Sequence, residues 1–213
     1  MTTEKMTIHK ALSELKTLDD RINKAAKTAP FVFANKHSNG TVNGMTVSAY
    51  SAEIKSAYQS VNDLMSRRSA IKRAVMLSNA VTKVAIGGNE YTVAEAIEVK
   101  NHALPMWRGL LQKMEVDNSN AQRMAERNNG DNLEDRADAY VKSLYENADM
   151  KNASEEIKKV RADFIASQTM EIVDPIEIAD EMKKLDERIN TFAVEVDSAL
   201  SVSNALTEIE ISY

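Results

Sequence analysis

The sequence predicts a mainly α fold, in which long coiled-coil-like helices form a bundle carrying a small antiparallel β element. Three observations point to it. Gly and Pro, which interrupt helices, number only 6 and 3 in 213 residues, and a chain rich in Ala, Glu, Lys and Met with so few breakers favours long helices. Apolar residues recur three and four apart through most of the chain, the spacing of one helix face. Two β-rich runs, at residues 81–86 and 207–211, each follow directly on such a helical stripe. Hydrophobic residues make up 43% of the chain and charged residues 28%, enough core to exclude full disorder.

The first helix repeats with a heptad rhythm. Ile8, Leu15 and Ile22 form one seam, and Ala11, Leu18 and Ala25 the other. So narrow a stripe suits either a short coiled coil or antiparallel packing inside one bundle. Residues 30–47 break the pattern. Pro30 precedes Phe31-Val32-Phe33, and Asn39-Gly40 and Asn43-Gly44 follow. Asn-Gly pairs supply the positive φ of tight turns, so a β-hairpin or an ordered loop is expected here.

The second helix is expected from about Ser48 to Asn79, on the stripe Ile54, Ala57, Val61, Leu64, Ile71 and Val75. Arg68 falls on the same stripe. It either snorkels at the stripe's edge or forms an interhelical salt bridge, since an unpaired buried charge is costly. Residues 81–86 and 90–92 then flank Gly87-Gly88-Asn89, a hairpin signal. Thr92-Val93-Ala94-Glu95 reads as a capping box.

The third helix carries Val93, Ile97, Lys100, Leu104, Trp107, Leu111 and Met114, with Trp107 expected in the core. Pro105 lies inside it and should kink or interrupt it, because proline removes a backbone donor. Residues 116–136 are polar, with a loop at Asn128-Asn129-Gly130-Asp131. A shorter helix is expected over 132–148, with Leu133, Ala137, Tyr140 and Leu144 on one face. Another begins near Ser154 and carries Ile157, Val160 and Phe164. Asp174-Pro175 is expected to open the last helix, proline being favoured at the first helical position. Its stripe runs Ile178, Met182, Leu185, Ile189, Phe192, Val196, Ala199. Residues 207–213 alternate polar and apolar, the pattern of a half-buried strand.

Three domains are expected. Residues 1–114 hold N-terminal helices with β-hairpins, and 115–152 form a polar helical insertion. Residues 153–213 hold C-terminal helices and a terminal strand packing back on the N-terminal part. An internal repeat runs across this division. Ser78-Asn79-Ala80-Val81-Thr82 matches Ser203-Asn204-Ala205-Leu206-Thr207, and each stretch carries a helix into a strand. If more than coincidence, the match suggests that residues 81–86 and 207–211 share one sheet, with Lys83 pairing to Glu208 or Glu210.

Chemistry is conspicuous by its absence from the pattern. The chain has no Cys, which excludes disulfides and thiolate chemistry and suits a reducing cytosol. His9, His37 and His102 stand apart from one another, without zinc spacing. No Gly-x-Ser-x-Gly elbow occurs, and Gly87-Gly88 is not followed by the Lys-Ser/Thr of a phosphate loop. Asp131, Asp135 and Asp138 lack the spacing of a calcium loop. Asp19-Asp20 and Glu155-Glu156 read as surface charges near helix ends. No enzyme activity, cofactor, catalytic residue or metal site is expected.

Net charge is −5. The basic cluster Arg67, Arg68, Lys72, Arg73 reads as a solvated helix face, so no strong nucleic-acid signal is present. The opening residues are polar and read as no secretion leader. No apolar run reaches the roughly 20 residues of a membrane span, so no membrane partner is expected. Asn39-Gly40-Thr41 and Asn152-Ala153-Ser154 are therefore chance matches to the glycosylation pattern.

Residues 64–104 resemble the septicolysin-like family of small helical proteins. The resemblance is carried by Ser78-Asn79-Ala80-Val81-Thr82, by Gly88, and by Tyr91-Thr92-Val93-Ala94-Glu95-Ala96-Ile97. It implies a helix ending in an Asn-Thr corner, a short hairpin and a helix opening with Thr-x-x-Glu-Ala. The polar 115–152 stretch departs from that family, and no membrane-inserting segment supports the cytolysin its name implies. Residues 197–205 also resemble phage-encoded proteins of unassigned role.

The expected function is a non-enzymatic structural or assembly component of a bacteriophage or prophage particle. Its expected partners are copies of itself and other particle proteins. It would be made in the cytoplasm of a bacterial host and carried in the virion. Ile209, Ile211 and Tyr213 are the candidate assembly residues, because a terminal strand tends to sit on a sheet edge open to another chain. The alternative is a cytosolic bacterial binding module for a small molecule or a partner helix. An enzyme without a familiar motif is a third reading.

Overall fold

The computed structural model describes residues 3–145 and 154–213. The fold is mainly α, with small antiparallel strand pairs, as the sequence predicts. Two compact units divide it: Met1–His102 with Thr191–Tyr213, and Ala103–Asn190. The expected boundary at 114/115 falls inside a helix, and that at 152/153 lies outside the described residues.

The first unit opens on a strand, β1 (Thr3–Thr7), followed by α1 (Ile8–Thr28). The Thr7 hydroxyl accepts the Lys10 amide at 3.2 Å and caps the helix. The short hairpin β2 (Thr41–Val42) and β3 (Met45–Thr46) turns through Asn43 and Gly44, both at positive φ, as the Asn-Gly signal predicts. Phe31-Val32-Phe33 is not a strand; Phe33 packs edge-on against Tyr50. The long helix α2 (Val47–Val81) leads into the hairpin β4 (Lys83–Ile86) and β5 (Asn89–Thr92), then α3 (Val93–Glu98). Thr92 and Glu95 form the expected capping box, at 3.1 Å and 2.7 Å. A π-helical turn, Val99–Ala103, carries the chain on.

The second unit holds α4 (Leu104–Asn129), α5 (Asp131–Leu144) and α6 (Glu155–Gln168). Pro105 sits in the first turn of α4, where its missing N–H costs little, and the interruption it imposes is the π turn before it. Leu133, Ala137 and Val141 of α5 are buried, and Tyr140 stacks on Phe164 of α6 with centroids 4.7 Å apart. Arg161 of α6 bridges to Asp138 at 2.6 Å and to Glu134.

The last helix, α7 (Ile178–Leu206), belongs to both units, and β6 (Glu208–Ser212) ends the fold. Pro175 does not open α7, correcting the sequence expectation. The helix begins at Ile178, whose amide is accepted by the Asp174 carboxylate at 2.9 Å. Glu177, at φ 55, turns the chain in between.

A second correction concerns the repeat. Residues 81–86 and 207–211 do not share a sheet. Val81 is still helical, β4 pairs with β5, and β6 pairs with β1. Lys83 accordingly pairs with Glu90, and Glu210 with Lys5. The matching corners mark equivalent places in two copies of one motif rather than neighbouring strands. Thr82 N donates to Ser78 O at 2.8 Å, and Thr207 N to Ser203 O at 2.9 Å. Thr82 O accepts Val93 N at 2.8 Å, and Thr207 O accepts Ile8 N at 2.9 Å. Thr92 and Thr7 are the corresponding N-caps.

Burial follows the same correspondence. Val84 and Ile86 match Ile209 and Ile211; Val93 and Ala96 match Ile8 and Ala11; Ile71 matches Val196; all are buried. Packing is reciprocal. The β1–β6 pair and α1 close over α2 in a cluster that includes Met6, Leu18, Ile71, Val75, Ile209 and Ile211. The β4–β5 hairpin stands against α7 instead: Tyr91 meets Phe192 edge-on at 5.7 Å, and Gly87 N donates to Glu195 at 2.6 Å. Each long helix thus runs out into one motif and packs against the other, and α2 touches α3 and β5 of its own motif as well.

Candidate assembly interface

Alternation along β6 sends Ile209 and Ile211 inward, 6% and 1% exposed, while Glu208, Glu210 and Ser212 face solvent. Two of the three candidate assembly side chains are therefore spent on this chain's own core. The third, Tyr213, is also engaged: the Arg67 guanidinium donates to its hydroxyl and lies 4.9 Å from the ring centroid.

Arg67 is the hub of a cluster linking four segments. It forks onto both carboxylate oxygens of Glu14 in α1 and reaches Glu4 of β1 at 2.9 Å. Arg67 and Glu14 side chains each keep only 18% of their exposure. Its hydrogen bonds to Glu14, then to Glu4, raise the Arg67 pKa further above its ordinary range. Arg67 and then Lys10 hold the Glu4 carboxyl below its usual value. Next to it, Arg68 pairs with Asp19 of α1, the interhelical salt bridge rather than the snorkelling arrangement, and lowers that carboxyl too. The basic cluster seen in sequence is thus half consumed in ion pairs, and Lys72 and Arg73 remain on the exposed side.

What β6 leaves open is its backbone. Since Ile8 N donates to Thr207 O, alternation makes 6–209 and 4–211 the hydrogen-bonded pairs of the register. The N–H and C=O groups of Glu208, Glu210 and Ser212 then point away from β1. Among the described residues no third strand meets them. A groove of about 600 Å³ runs along this edge, walled by Ser69, Ala70, Arg73, Ala74 and Leu77 of α2. The same alternation, starting from Val93 N to Thr82 O, turns the backbone groups of Lys83 and Ala85 outward on β4.

Apolar side chains also stand exposed at matching places near the ends of both long helices: Leu77 and Val81 on α2, Val202 and Leu206 on α7, between 55% and 77% exposed. In the second unit, Leu110, Met114, Ile176 and Leu185 line a trough of about 690 Å³ with Arg188 and the Lys184–Glu181 ion pair at its side. Trp107 is half-buried rather than fully in the core, with Arg188 stacked 3.9 Å from its ring centroid.

Among the described residues, no group of three or more His, Asp or Glu side chains is placed to hold a metal ion, and no helix is long and apolar enough to cross a membrane. The Arg67 cluster was not legible in the sequence. Arg67 stood out as part of a basic run and Tyr213 as the end of the terminal strand, with nothing to join them; Glu4 hid in a stretch whose single inward apolar residue is Met6. The arrangement defines a mainly helical protein with open strand edges and exposed apolar helix ends. Comparison of the chain with known protein families, curated proteins and solved structures gives no match.

Proposed function

We propose that this chain is a non-enzymatic structural or assembly component of a bacteriophage or prophage particle, joined to copies of itself and to other particle proteins. The observation that carries the assembly reading is the exposed apolar pair repeated on both long helices, Leu77 with Val81 and Val202 with Leu206. Side chains of this kind one helical turn apart form a stripe that gains stability when another chain covers it. The open edge of β6 adds hydrogen-bonding groups on the same unit. The particle itself is proposed from the resemblance of residues 197–205 to phage-encoded proteins.

A mass-spectrometric inventory of particles purified from the host tests the whole proposal. The chain should be present at a fixed copy ratio to the other particle proteins. Its absence from particles, together with a monomeric state of the purified chain, would overturn the reading. The alternative, a binding module for a small molecule, is favoured by one feature, the apolar trough beside Leu110, Met114 and Leu185 with charged Glu181, Lys184 and Arg188 at its side. Saturable binding of an anionic amphiphile, abolished by Leu185→Asp, would promote it.

A further inference from the structure

We infer that the open edge of β6 takes the open edge of β4 from a second copy of this chain, an inference that rests on the assembly reading above. The two edges are equivalent by the internal repeat, each being the strand that leaves a long helix through a Ser-Asn-Ala corner. They differ in charge. The outward residues of β6 are Glu208, Glu210 and Ser212; those of β4 are Lys83 and Ala85.

Pairing of β6 with another β6 is electrostatically disfavoured. The hydrogen-bonded pairs of a new ladder join outward residues of one strand to outward residues of the other, and two of the three on β6 are glutamates, so the central registers place Glu opposite Glu. Pairing with β4 removes that repulsion. Antiparallel alignment sets Glu210 opposite Lys83 of the second copy, which it shares with that copy's Glu90, and Glu208 opposite its Ala85. Glu208 has no ion-pair partner among the described residues, and Glu210 has only the 3.7 Å contact to exposed Lys5. The joined strands form one four-stranded sheet, and each copy keeps a free edge of the opposite kind. Such head-to-tail contact propagates into a ring or a filament.

The absence of native cysteine makes a direct test available. Full-length chains carrying Glu210→Cys and Lys83→Cys are mixed and mildly oxidised. Directly opposed residues lie about 5.5 Å apart at Cα, within disulfide reach. A covalent heterodimer should form from the mixture and far less product from either chain alone. Ala85→Pro, which removes an outward N–H that no strand uses within the chain, should weaken association at least tenfold while circular dichroism keeps its helical signal. Self-linking of Glu210→Cys, or linking to Lys5→Cys in place of Lys83→Cys, overturns the proposed contact. So does an oligomeric wild-type chain that gives no link, which leaves the assembly reading standing. A wild-type chain that stays monomeric at high micromolar concentration and gives no link defeats both.

Discussion

Thr82 and Thr207 do the same two jobs at two places in the fold. Each amide closes the last turn of a long helix on a serine carbonyl, and each carbonyl accepts the first amide of the helix that follows the partner strand. The pair of bonds ties a helix exit to a helix entrance across one strand ladder. Because each motif also packs on the long helix that runs out into the other, damage to either motif is felt by both helices.

Core substitutions test that exchange. Ile71 and Val196 are equivalent and are 0% and 1% exposed. Ile71→Ala should cost about 2–5 kcal/mol and Val196→Ala somewhat less, as buried groups are deleted. Leu77→Ala, at 60% exposure, should change stability by about 0.5 kcal/mol or less in the isolated chain. Urea unfolding followed by circular dichroism gives the three values. Equal losses would contradict the assigned core.

Removing Arg67 strands Glu14 in a half-buried setting beside Glu4. Arg67→Ala should destabilise by on the order of 1–3 kcal/mol, above an exposed pair and below a fully buried one. Combining it with Glu14→Ala should recover part of the loss. A double-mutant cycle by chemical denaturation measures the coupling, and additive effects would place the two side chains apart.

Acid should loosen both motifs. The Glu4, Asp19 and Glu95 carboxyls all lie below their ordinary values of 4.5, 3.8 and 4.5. A carboxyl lowered on folding binds more protons when unfolded, so its contribution is full above the ordinary value and is lost as pH falls through the folded one. The melting temperature should therefore hold near pH 6 and fall below about pH 4.5. Arg67→Met should flatten the part of that slope due to Glu4. An unchanged pH profile in this variant would separate Glu4 from Arg67.

Two glycines should respond in opposite directions. Gly87 has φ +59, and a Cβ there would meet Thr191 Cγ2 at 3.0 Å. Gly87→Ala should cost about 1–2 kcal/mol from the left-handed backbone, and more through the crowded threonine. Gly109 lies within α4 with nothing within 4 Å of a Cβ. Gly109→Ala should stabilise by about 0.5–1 kcal/mol. Thermal melts of both variants decide the signs.

The sequence by itself determined the helical stripes, though not where α4 ends or α7 begins, and it determined the tight turns and the repeat. Those signals are local: 3.6-residue periodicity, Asn-Gly and Gly-Gly turns, and the Thr92–Glu95 capping box act within a few residues. Strand β1 escaped notice because one of its two central inward positions holds Glu4, an alternation that makes sense only beside Arg67. Tertiary structure alone decided which strands pair. Ladder hydrogen bonds are made by backbone groups that every residue carries, so matching corners at residues 78 and 203 cannot say whether their strands are neighbours or equivalents. It also decided that Ile209 and Ile211 serve the chain's own core. Alternation shows that one face of a strand is apolar, and only the packing of α2 beneath it says which surface that face meets.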